Sequence, residues 1–219
     1  MTALSKRRAA DYGKRGERTR KRILDAAFRL IGHKDGLSVR VEDVCAELPI
    51  SRAAFYHYFA SFEELLAALS FEISHEFNQA VMAATSSMTS FAQRADAGTR
   101  YYLEKAQQDA SWGWAMIHIS ANGPLFGAET AAAALATIEH GIATGEFDVA
   151  TASFGRDLLQ GTVLSVIRSE LASPTLGNPA PIVSRLILRG LGVPVEIAER
   201  IVAQPLPEMN EGGSGHGRP

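Results

Sequence analysis

Apolar residues recur along this chain at helical rather than strand spacing. Ile23, Ala27, Leu30 and Ile31 form one stripe beginning at Thr19, and Leu24 and Phe28 widen it. The segment is expected to end at Gly36 as a C′ glycine, with His33 and Lys34 in its last turn, where cations suit the helix dipole. A second helix fits Val41 to Glu47, because Pro49 drives Leu48 out of the α region. A third starts behind Ser51, whose hydroxyl can cap, with Ile50 and Phe55 placed as a hydrophobic staple. A fourth starts behind Ser61, where Ser61 and Glu64 spell a capping box, and runs through Leu65, Leu69, Ile73 and Phe77 to about Ala84.

The rest continues in the same way. Helices are expected over Phe91 to Gln108, Ser111 to Ser120, Leu125 to Thr144, Thr151 to Ala172, Pro179 to Leu191 and Pro194 to Ala203. Gly145 and Gly192 suit C′ positions, Asn178 can cap with Pro179 at N1, and Pro194 suits another N1. The fold class expected is all-α. Residues 210–219, with four glycines and no aliphatic side chain, are expected to form a disordered tail.

Composition narrows the class. With 219 residues, 46% apolar and 21% charged, this is an ordinary globular chain and not a collagen-like or low-complexity one. Cys45 is the single cysteine, so no intramolecular disulfide can form and a reducing, cytoplasmic setting is expected. The first 22 residues are basic with no apolar stretch after them, unlike an export signal. The longest run without a charged residue, Ala110 to Ala128, holds His118, Asn122, Gly123 and Pro124 and does not read as a membrane span.

The formal net charge of -2 hides a division. Residues 1–64 hold 13 basic and 9 acidic side chains, and the first 24 residues alone hold nine basic and two acidic ones; residues 65–219 hold 9 and 15. Such asymmetry points to nucleic acid or a membrane surface, against the plain alternative of a solvated basic tail. Arg18, Arg20, Lys21 and Arg22 fall at the expected start of the first helix, where the dipole disfavours cations by a few tenths to about 1 kcal/mol. A local rule broken there points to a site that expects anions. Phe55-Tyr56-His57-Tyr58-Phe59 is an aromatic run on a helix too short to bury it all. Phe55 and Phe59, at i and i+4, can face the core, leaving Tyr56, His57 and Tyr58 for phosphate oxygens and base edges.

Three short helices with a basic approach make a helix-turn-helix arrangement. At Thr19-Arg20-Lys21-Arg22-Ile23-Leu24-Asp25-Ala26-Ala27, then Gly36, Asp43-Val44, Ser51-Arg52-Ala53-Ala54-Phe55-Tyr56-His57-Tyr58-Phe59 and Glu63-Glu64-Leu65, the chain resembles the tetracycline-repressor (TetR) family of bacterial transcriptional regulators. The resemblance is close over residues 19–65 and beyond them covers only the layout. It implies an N-terminal DNA-binding domain and a helical effector-binding and dimerisation domain, divided here as a basic arm over 1–18, a DNA-binding domain over 19–64, a second domain over 65–209 and the tail.

The resemblance also implies roles. Arg52, Ala53 and Ala54 would meet base edges behind the Ser51 cap, the arginine on guanine and the methyls on thymine methyls. Tyr56, His57 and Tyr58 would hold phosphates, and Thr19, Arg20 and Arg40 would contact the backbone. Three positions depart from the family pattern. Leu48-Pro49 replaces the usual Ala-Gly turn, and because proline resists positive φ the turn is expected to be reshaped. Phe62 replaces a usual lysine, and Val39 a usual threonine, leaving Ser38 as the nearest capping hydroxyl for the second helix.

Two further expectations concern the second domain. Thr151 to Ala172 and Pro179 to Leu191 carry more apolar surface than one stripe needs, with small residues Gly161 and Ser165 four apart. A homodimer is expected through Leu158, Gly161, Ser165, Ile182, Val183, Leu186 and Ile187, placing two recognition helices about 34–36 Å apart on a palindromic operator. Tyr101, Tyr102, Trp112, Trp114, Met116, His118 and Phe126 concentrate aromatic surface with polar tips, the composition of a pocket for a mainly hydrophobic or aromatic effector, although most such residues form core. The six histidines have no paired ligand spacing, and no phosphate loop, metal motif or nucleophile elbow occurs. The sequence therefore nominates no cofactor, metal ligand or catalytic residue. A membrane-surface module would explain the basic arm but not the capped aromatic helix.

Overall fold

The computed structural model describes residues 3–174 and 177–209, with side chains from residue 15 onward. The expected tail over 210–219 lies outside the described residues. Within them there is no strand. The order is α1 (Ala3–Ile31), a 3₁₀ turn (Gly36–Ser38), α2 (Val41–Glu47), α3 (Arg52–Tyr58), α4 (Phe62–Thr85), α5 (Phe91–Gln108), α6 (Ala110–Ser120), α7 (Ala128–Ala143), α8 (Ala152–Ala172), α9 (Ala180–Gly190) and α10 (Val195–Val202). No helix among the described residues is long and apolar enough to cross a membrane.

The head is built from α1, α2 and α3. Ile23, Leu24, Ala27 and Ile31 of α1 are buried against Val44 of α2 and Phe55 and Phe59 of the recognition segment. Ser51 caps α3 by accepting from the Ala54 amide at 3.1 Å, and Ser61 caps α4 by accepting from Glu64 at 3.2 Å. The Glu64 carboxylate reaches back one residue further than a capping box requires, to the Ala60 amide at 2.6 Å. Ser38 does not cap α2, because its hydroxyl donates to the Asp35 carbonyl. Asp43 instead accepts from the Arg40 amide at 2.8 Å and fixes the start of α2.

Three expectations about the head are corrected. The first helix starts at Ala3, not near Thr19, so Arg18, Arg20, Lys21 and Arg22 lie in its body and the dipole argument for them does not apply. It ends at Ile31, and Gly36 is not a C′ glycine. A Cβ on Gly36 would sit 2.2 Å from the Ile31 carbonyl and 2.7 Å from His118, so glycine is required by close approach. The turn after α2 is not reshaped: Pro49 takes φ +26° at C′, and Ile50 donates to the Cys45 carbonyl at 3.1 Å as in a glycine-ended helix. Proline has no amide for the companion bond to Ala46, and its ring prefers φ near -65°, so the turn is held under strain.

In the body, Gly145 and Gly192 adopt positive φ as C′ residues, and Asn178 accepts from the Ala180 amide at 2.9 Å. The seventh helix starts at Ala128, three residues later than its pattern predicts. Phe126 and Gly127 both have positive φ, and the Phe126 amide donates to Ser120. Glu146, in the loop after α7, accepts from Ser90 and from the amides of Phe91 and Ala92, capping α5 from across the fold. Burial alone would raise the Glu146 carboxyl, but those bonds, with Thr144, outweigh it and hold the group below its ordinary range. Asp96 goes the other way: burial raises it, against opposing bonds from Ser184 and Arg100.

Candidate DNA-reading face and ligand cavity

Helix α3 buries Phe55 and Phe59, and thereby turns Arg52, Ala53, Tyr56 and His57 outward; Ala54 and Tyr58 are half-buried. Tyr58 packs partly against the core. Arg40 is exposed at the start of α2. On α1 the exposed Arg20 guanidinium lies 4.9 Å from the Phe59 ring centre, a cation–π contact that fixes it beside the recognition helix. Thr19 is half-buried, and its hydroxyl donates to the Arg15 carbonyl. Lys21 pairs with Glu72 of α4 at 3.7 Å.

The recognition helix has a partner that its own motif does not show. Glu42 of α2 holds the Arg52 guanidinium at 2.9 Å, and Tyr56 stands one turn on along α3. The Arg52 side chain is thus held at the start of α3 beside an acid, with other N–H donors of its guanidinium left over. Cys45 is buried behind this face, and burial pushes its thiol pKa up, which suits core packing and not reactivity.

A cavity of about 380 Å³ opens between α4, α5, α7 and α8. One stripe of α5 supplies Phe91, Arg94, Ala95, Gly98, Thr99 and Tyr102, and α4 supplies Asn78, Val81, Met82 and Thr85. Across from them stand Ala133, Ala134, Ala136, Thr137 and His140 of α7, and Leu159, Gln160 and Val163 of α8. At one end the Tyr102 hydroxyl donates to Asn78, whose amide donates to Thr130 at 2.9 Å, while His75 and Glu129 pair at 3.0 Å. At the other, Arg94 donates to the Met88 carbonyl and lies over Phe91, which stacks on His140. Burial drives the Tyr102 hydroxyl far above its ordinary range, so it stays protonated.

Two polar groups of the wall have no partner. Both amide atoms of Gln160 and the hydroxyl of Thr99 are buried and unbonded, in side chains 2% and 1% exposed. An unmatched buried polar group of this kind costs about 1–3 kcal/mol. Phe126, also on the lining, is buried at φ +58°, a backbone conformation seldom found outside turns and binding sites.

The residues expected to form the pocket divide. Tyr102 and Phe126 line the cavity. Trp112 lies behind it, packed on Phe77 and Tyr102 with its indole donating to the Ile73 carbonyl. Met116 is wholly buried, Tyr101 donates to the Pro207 carbonyl, and Trp114 stacks on His118. His118 bonds to the Ile31 carbonyl, at the junction with the head. These five are held by the core or the domain junction because large rings fill space, and it is the alanines and Gly98 that leave space open. Gln160, Thr99 and Asn78 were not anticipated. The available signal was Gln160 itself, one amide inside the apolar run Leu158-Leu159-Gln160-Gly161-Thr162-Val163.

The expected dimer residues also divide. Leu158, Ser165, Ile182 and Leu186 are exposed, Gly161 is half-buried with nothing near an added Cβ, and Phe154 joins them unanticipated at 66% exposure. Val183 and Ile187 are buried inside the subunit and are removed from the outward face, because α9 is apolar on both sides and packs against α5, α10 and α8.

Comparison with known proteins agrees with this geometry. Residues 23–69 match the family model described as bacterial regulatory proteins, tetR family, and residues 92–204 match one described as tetracyclin repressor-like, C-terminal domain. The HTH-type transcriptional regulator BetI of Agrobacterium fabrum is 45% identical over 47 residues, a match spanning 22% of this chain and 23% of BetI. The structure of RolR in complex with resorcinol superposes with a TM-score of 0.71 at 22% identity, covering 90% of this chain and 99% of that one. A putative tetR family regulator from Shewanella sp. PV-4 superposes with a TM-score of 0.62 at 19% identity, over 78% of this chain and 97% of that one.

Proposed function

Since the chain belongs to the TetR family of bacterial regulatory proteins and is a DNA-binding transcription regulator, we propose that it is a homodimeric repressor. It releases a palindromic operator when a small, mainly apolar or aromatic compound fills the cavity. The observation that carries this reading is the division of labour along α4. Its first turns bury Leu65, Leu66 and Leu69 in the core shared with the head, and its later turns present Asn78, Val81, Met82 and Thr85 to the cavity.

Three features support the details. Arg52, Tyr56 and His57 stand outward on the recognition helix, with Arg20 and Arg40 beside them for the phosphates. Phe154, Leu158, Ile182 and Leu186 give α8 and α9 an uncovered apolar face suited to a second copy. RolR, which shares the fold, has been solved with resorcinol, a compound well within the size of this cavity. The domain division that fits is a head ending near residue 64 and a sensing body beyond it, working in the cytoplasm, where the operator is.

A ligand releases DNA only by binding the non-DNA conformation more tightly, with a usual coupling of about 1–3 kcal/mol. The test is selection of bound sequences from a random duplex pool, followed by light scattering. An inverted repeat bound by a dimer is the expected result; a single unrepeated half-site bound by a monomer contradicts the reading.

A further inference from the structure

We propose that Gln160 and Thr99 are the specificity-determining residues of the cavity, and that they select an uncharged aromatic ring carrying hydroxyl groups. The proposal rests on the effector reading above and deepens it. Gln160 lines the cavity from α8 and Thr99 from α5. Together they hold one carbonyl acceptor, an amide donor and a hydroxyl that does either, all without a protein partner and all covered in the empty cavity, so that a ligand meets them as the side chains turn toward it. Elsewhere on the lining the polar groups are engaged: Asn78, Tyr102 and Thr130 with one another, Glu129 with His75, and Arg94 with the Met88 carbonyl.

The open set fixes the chemistry of what fits it. An ether or ketone can accept from the Gln160 amide but leaves its oxygen facing no donor. A carboxylate finds its cation only away from Gln160, at Arg94, and at Gln160 it faces that same oxygen with no proton to give. A ring hydroxyl can both donate to the Gln160 oxygen and accept, from the Gln160 nitrogen or from Thr99, and a second hydroxyl can satisfy what the first leaves. The ring follows from the walls. Ala95 and Gly98 of α5 and Ala133, Ala134 and Ala136 of α7 leave room on the lining, and Phe91, Phe126, Leu159 and Val163 supply apolar surface on which a ring can pack. At Gly98 an added Cβ would meet nothing within 4 Å, so the void begins at its backbone.

The experiment measures thermal shift and operator release of the full-length protein with phenol, resorcinol, anisole and benzoate. Phenol or resorcinol should raise the melting temperature and release the operator, with anisole at least about tenfold weaker. Gln160→Leu removes two unmatched polar atoms, so it should raise the unliganded melting temperature or leave it no lower, while erasing the preference for hydroxyl over methoxy. Thr99→Val should weaken that preference independently, covering the case in which Gln160→Leu fails to fold. Gly98→Leu should fold, bind operator and respond to none of the probes. Anisole binding as well as phenol, benzoate binding best, or an intact hydroxyl preference in Gln160→Leu each overturns the proposal while leaving an effector cavity in place. If no ring compound changes melting or operator release in a protein that binds its operator, the effector reading itself falls and takes this one with it.

Discussion

His118 Nδ1 stands 2.8 Å from the carbonyl oxygen of Ile31, the last residue of α1. The contact joins the body to the head at a helix end whose carbonyls have no partner within the helix. Trp114 stacks on the imidazole, and Gly36 leaves just enough room beside it. His118→Leu keeps the volume but leaves the Ile31 carbonyl unmatched, at a cost of about 1–3 kcal/mol. Calorimetry should show the melting temperature falling by several degrees; an unchanged melting curve would mean that the contact is idle.

Pro49 is the second place where a single change has a defined direction. Pro49→Gly relieves a positive φ that the proline ring resists and restores an amide for the Ala46 carbonyl. Relief of about 1–3 kcal/mol of strain outweighs the roughly 0.4–1 kcal/mol of extra chain entropy that glycine brings to the unfolded state. Urea unfolding should show a net gain in stability, and a net loss is the contrary result.

On the proposed reading, in which Arg52 meets the operator, its ion pair with Glu42 at 2.9 Å competes with DNA. Glu42→Gln should tighten operator binding several-fold at low salt and steepen its salt dependence, because one repelling charge leaves the face that meets phosphate. In an Arg52→Ala background the same change should give a smaller gain, the difference measuring the pair. Equal gains in both backgrounds would show that Glu42 acts on the phosphates and not through Arg52.

Acid should weaken the body through Glu146. A carboxyl held below its ordinary value of 4.5 contributes stability that is fully present above that value and is lost as pH falls through the folded value. Asp96, raised by burial, has the opposite slope, since its protonation favours the folded state. The comparison that isolates Glu146 is therefore wild type against Glu146→Gln. The variant should be less stable near neutrality and lose less below about pH 4.5, and parallel curves would contradict the capping role.

Leu186, 58% exposed on α9, tests the interface. Leu186→Glu should give a folded monomer by light scattering and circular dichroism, with operator affinity reduced more than tenfold because one head must bind alone. A dimer of ordinary affinity would place the interface elsewhere.

How much of this was legible in the sequence depends on the kind of residue that carries it. Phe55 and Phe59 announced their burial by spacing, and Val41 to Glu47 by the proline behind it, because local sterics and periodicity act within a few residues. The start of α1 was not legible, since Thr19 resembles a cap but donates backward to Arg15 inside a longer helix. On α9, Ile182 and Val183 are adjacent and equally apolar, and only the position of α5 decides that one faces out and the other in. The cavity was the hardest to read. Aromatic clusters draw the eye to Trp112 and Trp114, whereas a void is made by what is small, and four helices must be assembled before the alanines and Gly98 face one another.

The cap that Glu146 places on α5 has a mechanical consequence. It ties the loop after α7 to the first turn of α5, while α8 packs along both helices, so three walls of the cavity form one braced frame. The fourth wall, α4, meets α5 and α7 less extensively, and its polar ties to α7 are side-chain bonds from His75, Asn78 and Gln79. A ligand in such a chamber meets three braced walls and a fourth, α4, that also packs against the head.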